Sequence, residues 1–256
     1  MALVRPLADQ GVRWLSRTSV TPHQVVLSHC LIGLGAAFLL AQPGRGELVG
    51  AALLLQLKTL LDNIDGGLAR ATGRVTETGR YLDTTLDFVV NIALFVALAQ
   101  HGSTLLAAAS FLILTLVLSY DFNAERLYRR AHHLEQAAPG GSGKEAPESV
   151  LRLLRVVYRG FFAPQDELLG RLDASLLRLA AGAGADVEGA RERWADRFST
   201  AALVNLGLST QLLLLGVCAA FGRPYLFVYL VLLQLPYLAA VQLVRVVRFR
   251  THGVSP

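Results

Sequence analysis

The sequence predicts an all-α protein that crosses a membrane several times, and three observations support this prediction. Hydrophobic residues make up 53% of the 256 residues, and the mean hydropathy of +0.46 is high for a soluble domain. These residues lie in long runs, and a transmembrane helix needs about 20 mostly apolar residues. The arginines lie mainly beside alternate ends of these runs, as is typical of loops that remain in the cytoplasm.

Six runs are long enough to span a bilayer. They are residues 22–42, 47–69, 79–100, 103–124, 198–221 and 224–247. The chain is therefore divided into four predicted regions. These are an N-terminal segment at 1–20, four spans within 21–124, an insert at 125–197 and two further spans within 198–250.

The N-terminal segment, MALVRPLADQGVRWLSRTSV, mixes apolar residues with arginines. Its apolar stretch is too short for a signal peptide. The pattern favours an amphipathic helix lying in the lipid headgroup layer, and a solvated leader is the alternative. Thr21 and Pro22 then indicate the start of the first span, because a threonine hydroxyl can cap a helix and proline is favoured in the first turn.

The distribution of arginine indicates which side of the membrane faces the cytoplasm. On the predicted cytoplasmic side are Arg5, Arg13, Arg17, Arg70, Arg74, Arg80, Arg245, Arg248 and Arg250. The loops on the opposite side contain only Arg45 and Arg223. We therefore predict a multi-pass protein of the cell membrane, with both termini and the loop between the second and third spans in the cytoplasm.

The insert at 125–197 is the longest predicted stretch outside the membrane. Its segment at 138–149, APGGSGKEAPES, has the composition of a flexible polar linker. Beyond the linker, Arg152, Arg155 and Arg159 alternate with apolar residues at helical spacing, which favours amphipathic helices. Two alternatives remain open, since these helices could rest on the cytoplasmic leaflet or pack on each other as a small lobe.

Four aspartates lie at the predicted inner ends of the second and third spans: Asp62, Asp65, Asp83 and Asp87. Unpaired acids beside lipid are costly, so such a cluster indicates a functional site, and divalent cations are the expected partners. Positions three and four apart share a helix face, so each helix carries one acidic stripe. The short link GRVTET would make the two helices antiparallel neighbours whose stripes face a narrow gap.

Small and basic residues accompany these acids. Gly66, Ala69 and Gly79 lie within a turn of the aspartates, where a larger side chain would block a ligand. Arg70 adds a cation suited to a phosphate. Lys58 lies one turn before Asp62, where it either neutralises that acid, touches a phosphate or extends towards the membrane surface.

From Asp62 to Asp87 the chain reads D-x2-D-G-x2-A-R-x8-G-x3-D-x3-D. This pattern resembles the signature of the CDP-alcohol phosphotransferase family at every fixed position. The resemblance covers the span-rich parts of the chain and not the insert. It implies a membrane enzyme that transfers a phosphatidyl group from a CDP-linked lipid, such as CDP-diacylglycerol, to the hydroxyl of a small alcohol and releases CMP.

The resemblance also implies roles for individual residues. Two Mg²⁺ or Mn²⁺ ions would be held by Asp62, Asp65, Asp83 and Asp87, and Asp87 would also be the catalytic base. The CDP-lipid would contact Gly66, Ala69, Arg70, Thr76 and Gly79, together with Thr21 and His23, which stand where the family has a Thr-Pro-Asn element. Relatives of this kind are homodimers, so a homodimer is expected here.

The acceptor alcohol is left open between inositol phosphate, glycerol phosphate, serine and other alcohols. The run GRYLDTTLDF is similar to the segment of relatives that accept inositol phosphate. A phosphorylated acceptor would need cations, and Arg126, Arg197 and Arg245 stand at the predicted inner ends of the last three spans. The alternative is that these arginines reflect only the excess of positive charge on the cytoplasmic side. Phe88 follows the last aspartate, whereas relatives that use glycerol phosphate commonly have lysine there.

Two other classes of function compete with a transferase. A cation channel or transporter would explain the aspartates but leaves Arg70 and the glycines without a role. A non-catalytic lipid-binding scaffold would not need the complete motif. Nucleic acid is not an expected partner despite the net charge of +5, because the arginines are dispersed along the predicted inner face, where anionic lipid is the simpler partner.

Overall fold

The computed structural model describes residues 4–134, 147–182 and 187–252, and every regular element in these ranges is helical. The prediction of an all-α protein is therefore confirmed. The helices are α1 (Val4–Leu15), α2 (Pro22–Leu40), α3 (Arg45–Ala71), α4 (Glu77–Ala99), α5 (Thr104–Ala131), α6 (Glu148–Val157), α7 (Ala163–Ala181), α8 (Val187–Trp194), α9 (Arg197–Val204), α10 (Leu208–Ala220), α11 (Leu226–Leu232) and α12 (Gln234–His252). A π-helical turn, Tyr158–Phe162, joins α6 to α7. Most of the predicted linker at 138–149 lies outside the described residues.

Within the described ranges, four helical stretches are long and apolar enough to cross a membrane: Pro22–Leu40, Glu77–Ala99, Thr104–Ala131 and Leu226–Thr251. A fifth is added if α9 and α10, which meet at a 46° bend, cross as one broken span. These stretches indicate a multi-pass membrane protein. Helix α3 has 27 residues, but Lys58, Asp62 and Asp65 in its second half make it too charged to belong to this group. The count of six spans stays a prediction.

The chain divides into two compact units, which are described separately. The first unit comprises Met1–Phe111, Ala137–Arg159 and Ser209–Tyr229. The second unit comprises Leu112–Gln136, Gly160–Leu208 and Leu230–Pro256.

Helix α2 begins as the sequence predicted. Thr21 Oγ1 accepts a hydrogen bond from the Gln24 backbone N–H at 3.3 Å, and Gln24 Oε1 accepts one from the Thr21 N–H at 2.8 Å. Pro22 occupies the first turn. This reciprocal cap satisfies two backbone donors that the helix itself cannot satisfy, and it fixes where α2 starts.

Helix α2 packs against both α3 and α4, and the contact is tight at Gly33. A Cβ atom at Gly33 would lie 2.7 Å from Val90 Cγ1 of α4 and 3.2 Å from Lys58 Cδ of α3. The absence of a side chain therefore lets three helices meet at one level. His29 lies one turn earlier on the same face of α2, so this contact also sets the position of His29.

Replacing Gly33 by alanine is expected to destabilise the protein. The added methyl group would clash with the branched side chain of Val90, and overpacking of this kind costs about 1–3 kcal/mol. Thermal unfolding in detergent should show the loss. Gly35→Ala in the same helix is the matched control, because its Cβ would meet only Leu54 Cδ1 at an ordinary 3.6 Å. Equal melting temperatures for the two variants would contradict the proposed tight contact at Gly33.

Helix α1 packs along the second half of α3. Ala8, Val25, Ile64 and Leu68 form a buried apolar cluster, while Trp14 remains 70% exposed. The helix is thus amphipathic as predicted, with one side on the protein. Its location in the headgroup layer stays a prediction.

Helix α6, from the predicted insert, packs against the beginning of α4. Arg155 Nη2 donates to Glu77 Oε2 at 2.8 Å, and this contact raises the pKa of Arg155 above its ordinary value. The rings of Tyr81 and Tyr158 lie 5.2 Å apart beside it. The insert therefore contributes a helix to the unit that contains the aspartates.

The second unit is organised around a buried Arg245. Its Nη1 donates to Asp173 Oδ1 at 2.6 Å, and its Nε donates to the Trp194 carbonyl at 2.8 Å. The guanidinium also lies 4.2 Å from the Trp194 ring centroid. These contacts join α7, α8 and α12 into a helical lobe.

Candidate active site

The structure brings the four aspartates of the sequence motif together. Helix α3 supplies Asp62 and Asp65, and α4 supplies Asp83 and Asp87. Their side chains are largely enclosed, with exposed fractions of 21%, 8%, 37% and 16% in chain order. The cluster is therefore most open at Asp83, which is where a ligand would reach the carboxylates.

His29 of α2 lies within this cluster. The residue is fully buried, and its Nε2 is 2.9 Å from Asp65 Oδ2 and 3.4 Å from Asp83 Oδ1. Sequence reasoning missed this residue. A signal was present, because an ionisable side chain inside an apolar span indicates a functional site.

Lys58 also lies within the cluster, on α3. Its side chain is 1% exposed, so it does not extend to the membrane surface. The ammonium donates to Asp87 Oδ1 at 2.7 Å and lies 3.6 Å from Asp62 Oδ1. Of the alternatives considered from the sequence, neutralisation of the neighbouring acids is the one that the geometry favours.

The aspartates are thus divided into two pairs, each beside one nitrogen group. Asp65 and Asp83 face His29, whereas Asp62 and Asp87 face Lys58. The first pair is incompletely satisfied. Within residues 4–134, 147–182 and 187–252, neither Asp83 Oδ1 nor His29 Nδ1 has a hydrogen-bond partner although both atoms are buried. A buried polar atom without a partner calls for an explanation, and a bound ion would provide one.

The donor set fits a divalent cation. One donor atom from each of His29, Asp62, Asp65 and Asp83 can be chosen so that all four lie within 4.8 Å of one another. Carboxylate oxygens suit hard divalent ions, and imidazole is a common ligand of transition ions. The structure therefore supports a metal-binding cluster at this place.

Three of the residues predicted to contact the CDP-lipid meet at the beginning of α4. Thr76 Oγ1 accepts a hydrogen bond from the Gly79 N–H at 3.0 Å and caps the helix. A Cβ atom at Gly79 would lie 2.9 Å from Thr76 Oγ1 and 3.6 Å from His23 Nε2. Gly79 thus allows the Thr76 hydroxyl and the His23 ring to lie close to this helix end, beside the first turn of α2.

The other predicted contacts to the CDP-lipid lie at the ends of α2 and α3. Arg70 is exposed in the last turn of α3, and a Cβ atom at Gly66 would lie 3.4 Å from its Nη1. Ala69 is half-buried beside Arg70. Thr21 uses its hydroxyl to cap α2.

The three arginines predicted for the acceptor all belong to the second unit. Arg126 and Arg197 are exposed. Arg245 is buried and bound to Asp173 and Trp194. A role in acceptor binding stays a prediction for all three.

Comparison with known proteins supports the resemblance seen in the motif. A family model described as CDP-alcohol phosphatidyltransferase matches residues 20–154, which is more than half of the chain. An uncharacterized protein of Aquifex aeolicus is 34% identical over 136 residues, which are 53% of this chain and 67% of that protein.

Two named relatives are also similar. Archaetidylinositol phosphate synthase of Pyrococcus horikoshii is 30% identical over 130 residues, covering 49% of this chain and 66% of the relative. Phosphatidylinositol phosphate synthase of Corynebacterium glutamicum is 29% identical over 188 residues, covering 70% of this chain and 78% of the relative. The matched part thus spans about two thirds of the Aquifex and Pyrococcus proteins.

Proposed function

Because this chain belongs to the CDP-alcohol phosphatidyltransferase family, we propose that it transfers a phosphatidyl group from a CDP-alcohol, such as CDP-diacylglycerol, to the hydroxyl of a small alcohol and releases CMP. One observation carries the proposal. The motif aspartates from two helices converge on one cluster whose donor atoms fit a divalent cation. A membrane location gives both lipid substrate and lipid product access to the cluster without leaving the bilayer.

The proposed topology has six spans and a cytoplasmic active site. To the four long apolar stretches, this topology adds the bent pair of α9 and α10 and helix α3, which contains the predicted second span at 47–69. The charges of α3 do not prevent a membrane location, because Lys58 is paired with Asp87 of α4 and its ammonium also lies near Asp62. Intramembrane charges are expected to pair in this way. We further propose that α1 lies in the headgroup layer and that the protein is a homodimer.

In the proposed reaction, Asp62, Asp65, Asp83 and Asp87 would hold two Mg²⁺ or Mn²⁺ ions. Such ions, when bound, neutralise a diphosphate and make its phosphorus easier to attack. Gly66 and Gly79 leave room for the nucleotide.

Two side chains have further proposed roles in the transfer. Arg70 would contact a phosphate oxygen, since its guanidinium presents a fork of donors to such groups. Asp87 would accept the proton of the attacking hydroxyl. Lys58 donates a hydrogen bond to Oδ1 of Asp87 and so holds this carboxylate in place. We therefore assign proton transfer to the other oxygen, Oδ2.

The first acceptor to test is a phosphorylated polyol such as inositol phosphate. Two observations support this choice. The relatives from Pyrococcus horikoshii and Corynebacterium glutamicum are named as inositol phosphate lipid synthases. The segment GRYLDTTLDF also resembles the corresponding segment of such enzymes.

The test is an assay of CMP release by the purified full chain in lipid vesicles. CDP-diacylglycerol would be offered with inositol phosphate, glycerol phosphate, serine or inositol, with Mg²⁺, Mn²⁺ or a chelator. We expect metal-dependent CMP release that is fastest with inositol phosphate. Release with a different acceptor alone would replace the proposed acceptor, and no release under any condition would contradict phosphatidyl transfer.

A further inference from the structure

His29 lies within the aspartate cluster although it is not part of the aspartate motif. We propose that His29 is a direct metal ligand in this protein, and that the site consequently binds Mn²⁺ in preference to Mg²⁺. The proposal rests on the proposed function, because it adds a ligand to the metal site of that function.

The placement of His29 leaves its polar edge directed at the carboxylates. The ring is completely buried, and neighbours one turn away on α2 are the apolar Val25 and Gly33. The ring nitrogen Nε2 lies next to the carboxylates of Asp65 and Asp83. A histidine that served only to fill this part of α2 would not need a polar atom there.

Hydrogen bonding alone does not satisfy this arrangement. Nε2 can carry a single proton, and its hydrogen bond goes to Asp65 Oδ2 at 2.9 Å. Asp83 Oδ1, at 3.4 Å from the same nitrogen, is left buried and without a hydrogen-bond partner in the described part of the chain. A cation shared by Nε2 and the two carboxylates would satisfy all three groups at once.

The tautomer of His29 is not fixed by a second contact. Nδ1 is buried and has no hydrogen-bond partner among the residues that the structure describes. In many proteins a contact at one ring nitrogen determines which nitrogen carries the proton. The hydrogen bond to Asp65 favours the proton on Nε2. A metal ion that binds Nε2 would replace this hydrogen bond, and the ring proton would then reside on Nδ1, which no described residue engages.

The geometry groups His29 with three of the four aspartates. His29, Asp62, Asp65 and Asp83 can each direct one donor atom into a space no more than 4.8 Å across. Asp87 is instead held by Lys58 at 2.7 Å. For the one ion beside His29, the ligand set therefore contains one imidazole nitrogen and three carboxylates, and Asp87 is left to the second ion of the proposed pair.

This ligand set has a consequence for the choice of metal. Mg²⁺ is bound almost entirely through oxygen and retains several waters, so an imposed nitrogen ligand disfavours it. Imidazole suits first-row transition ions, and carboxylates suit Mn²⁺. A site with one imidazole and several carboxylates therefore favours Mn²⁺ over Mg²⁺. A site of aspartates alone would discriminate less between the two ions.

The decisive experiment is pulsed electron paramagnetic resonance of Mn²⁺ bound to the full-length protein in detergent. An imidazole nitrogen bonded directly to Mn²⁺ modulates the electron spin echo, and isotope labelling of histidine nitrogen changes that modulation. We expect the modulation in the unmodified protein and its loss in His29→Gln. His101→Gln is the matched control and should retain it, because His101 lies just beyond α4 with its Nε2 2.6 Å from the Leu40 carbonyl.

Metal affinity provides a second readout. Titration with each ion should show that His29→Gln weakens Mn²⁺ binding by about tenfold or more. Mutation of a residue that only orients a metal ligand already weakens metal binding by about this factor. Mg²⁺ binding should change much less. If His29→Gln weakened the binding of Mn²⁺ and Mg²⁺ equally, the predicted metal preference would be overturned. Unchanged binding of Mn²⁺ by this variant would also overturn it.

The outcomes separate this proposal from the proposed function. Nitrogen modulation without CMP release in any assay would support His29 as a ligand and contradict phosphatidyl transfer. CMP release with bound Mn²⁺ but without nitrogen modulation would retain the transferase and overturn direct ligation by His29. Failure of the unmodified protein to bind Mn²⁺ would also overturn it.

Discussion

Replacing Asp87 by asparagine is expected to reduce CMP formation by about 100-fold to 10,000-fold, the contribution that a positioned general base usually makes. Asparagine retains the size of the side chain and an oxygen that can accept the hydrogen bond from Lys58. It cannot accept the proton of an attacking hydroxyl. The loss should therefore appear mainly in kcat, measured as the rate of CMP release at saturating CDP-diacylglycerol.

The control for this variant is Asp9→Asn, which removes an exposed carboxylate on α1. It should have the activity of the unmodified protein. Thermal unfolding of Asp87→Asn should show that the protein still folds. Rapid turnover by Asp87→Asn would remove the assignment of Asp87 as the base, while leaving its proximity to the metal cluster unaffected.

Replacing Lys58 by methionine is expected to have the largest effect on stability. Methionine has a similar length but removes the ammonium that lies 2.7 Å from Asp87 and 3.6 Å from Asp62. Removing one partner of a buried ion pair usually costs about 3–5 kcal/mol, because the other charge is left without compensation. In a chelating buffer the melting temperature should therefore fall sharply.

Divalent ions should reverse much of this loss. Without Lys58, an added cation is the remaining means of compensating Asp62 and Asp87, so Mn²⁺ should raise the melting temperature of Lys58→Met more than that of the unmodified protein. Arg80→Met is the matched control, because it removes an exposed cation from α4. A Lys58→Met variant that melts normally in chelator would contradict the compensating role of the lysine.

The acidic half of the site could be predicted from the sequence because its geometry is local. Asp62 and Asp65 share a face of α3 through helical spacing alone, and so do Asp83 and Asp87 on α4. The short segment between these helices keeps the two pairs close along the chain. The start of α2 at Thr21 was predictable for the same reason, since a capping residue acts within one turn.

The histidine could not be predicted in this way, because its position depends on tertiary packing. Apolar residues are distributed around all sides of α2, so its sequence does not indicate which face turns towards α3 and α4. The contact at Gly33 determines that rotation, and it requires knowledge of Val90 and Lys58 on two other helices. An ionisable residue such as His29 in an apolar run indicates a functional position but does not identify its partner.

The packing of the insert was equally beyond local reasoning. The sequence predicted amphipathic helices around Arg155 but left open what their sides would contact. The structure pairs Arg155 with Glu77 of α4, a contact between residues distant in the chain. In the second unit, the cluster of Asp173, Trp194 and Arg245 likewise joins three segments that no sequence periodicity connects.

The pairing of Lys58 with Asp87 has a consequence for how the protein is made. During synthesis α3 leaves the ribosome before α4, and at that stage the ammonium of Lys58 lacks the carboxylate that it contacts in the finished protein. In the proposed six-span topology, inserting α3 alone into lipid would leave that charge without the Asp87 carboxylate in hydrocarbon. We therefore expect the translocation machinery to release the two helices into the membrane together as a hairpin. The Asp87 carboxylate of α4 would then pair with the Lys58 ammonium of α3 before α3 contacts lipid.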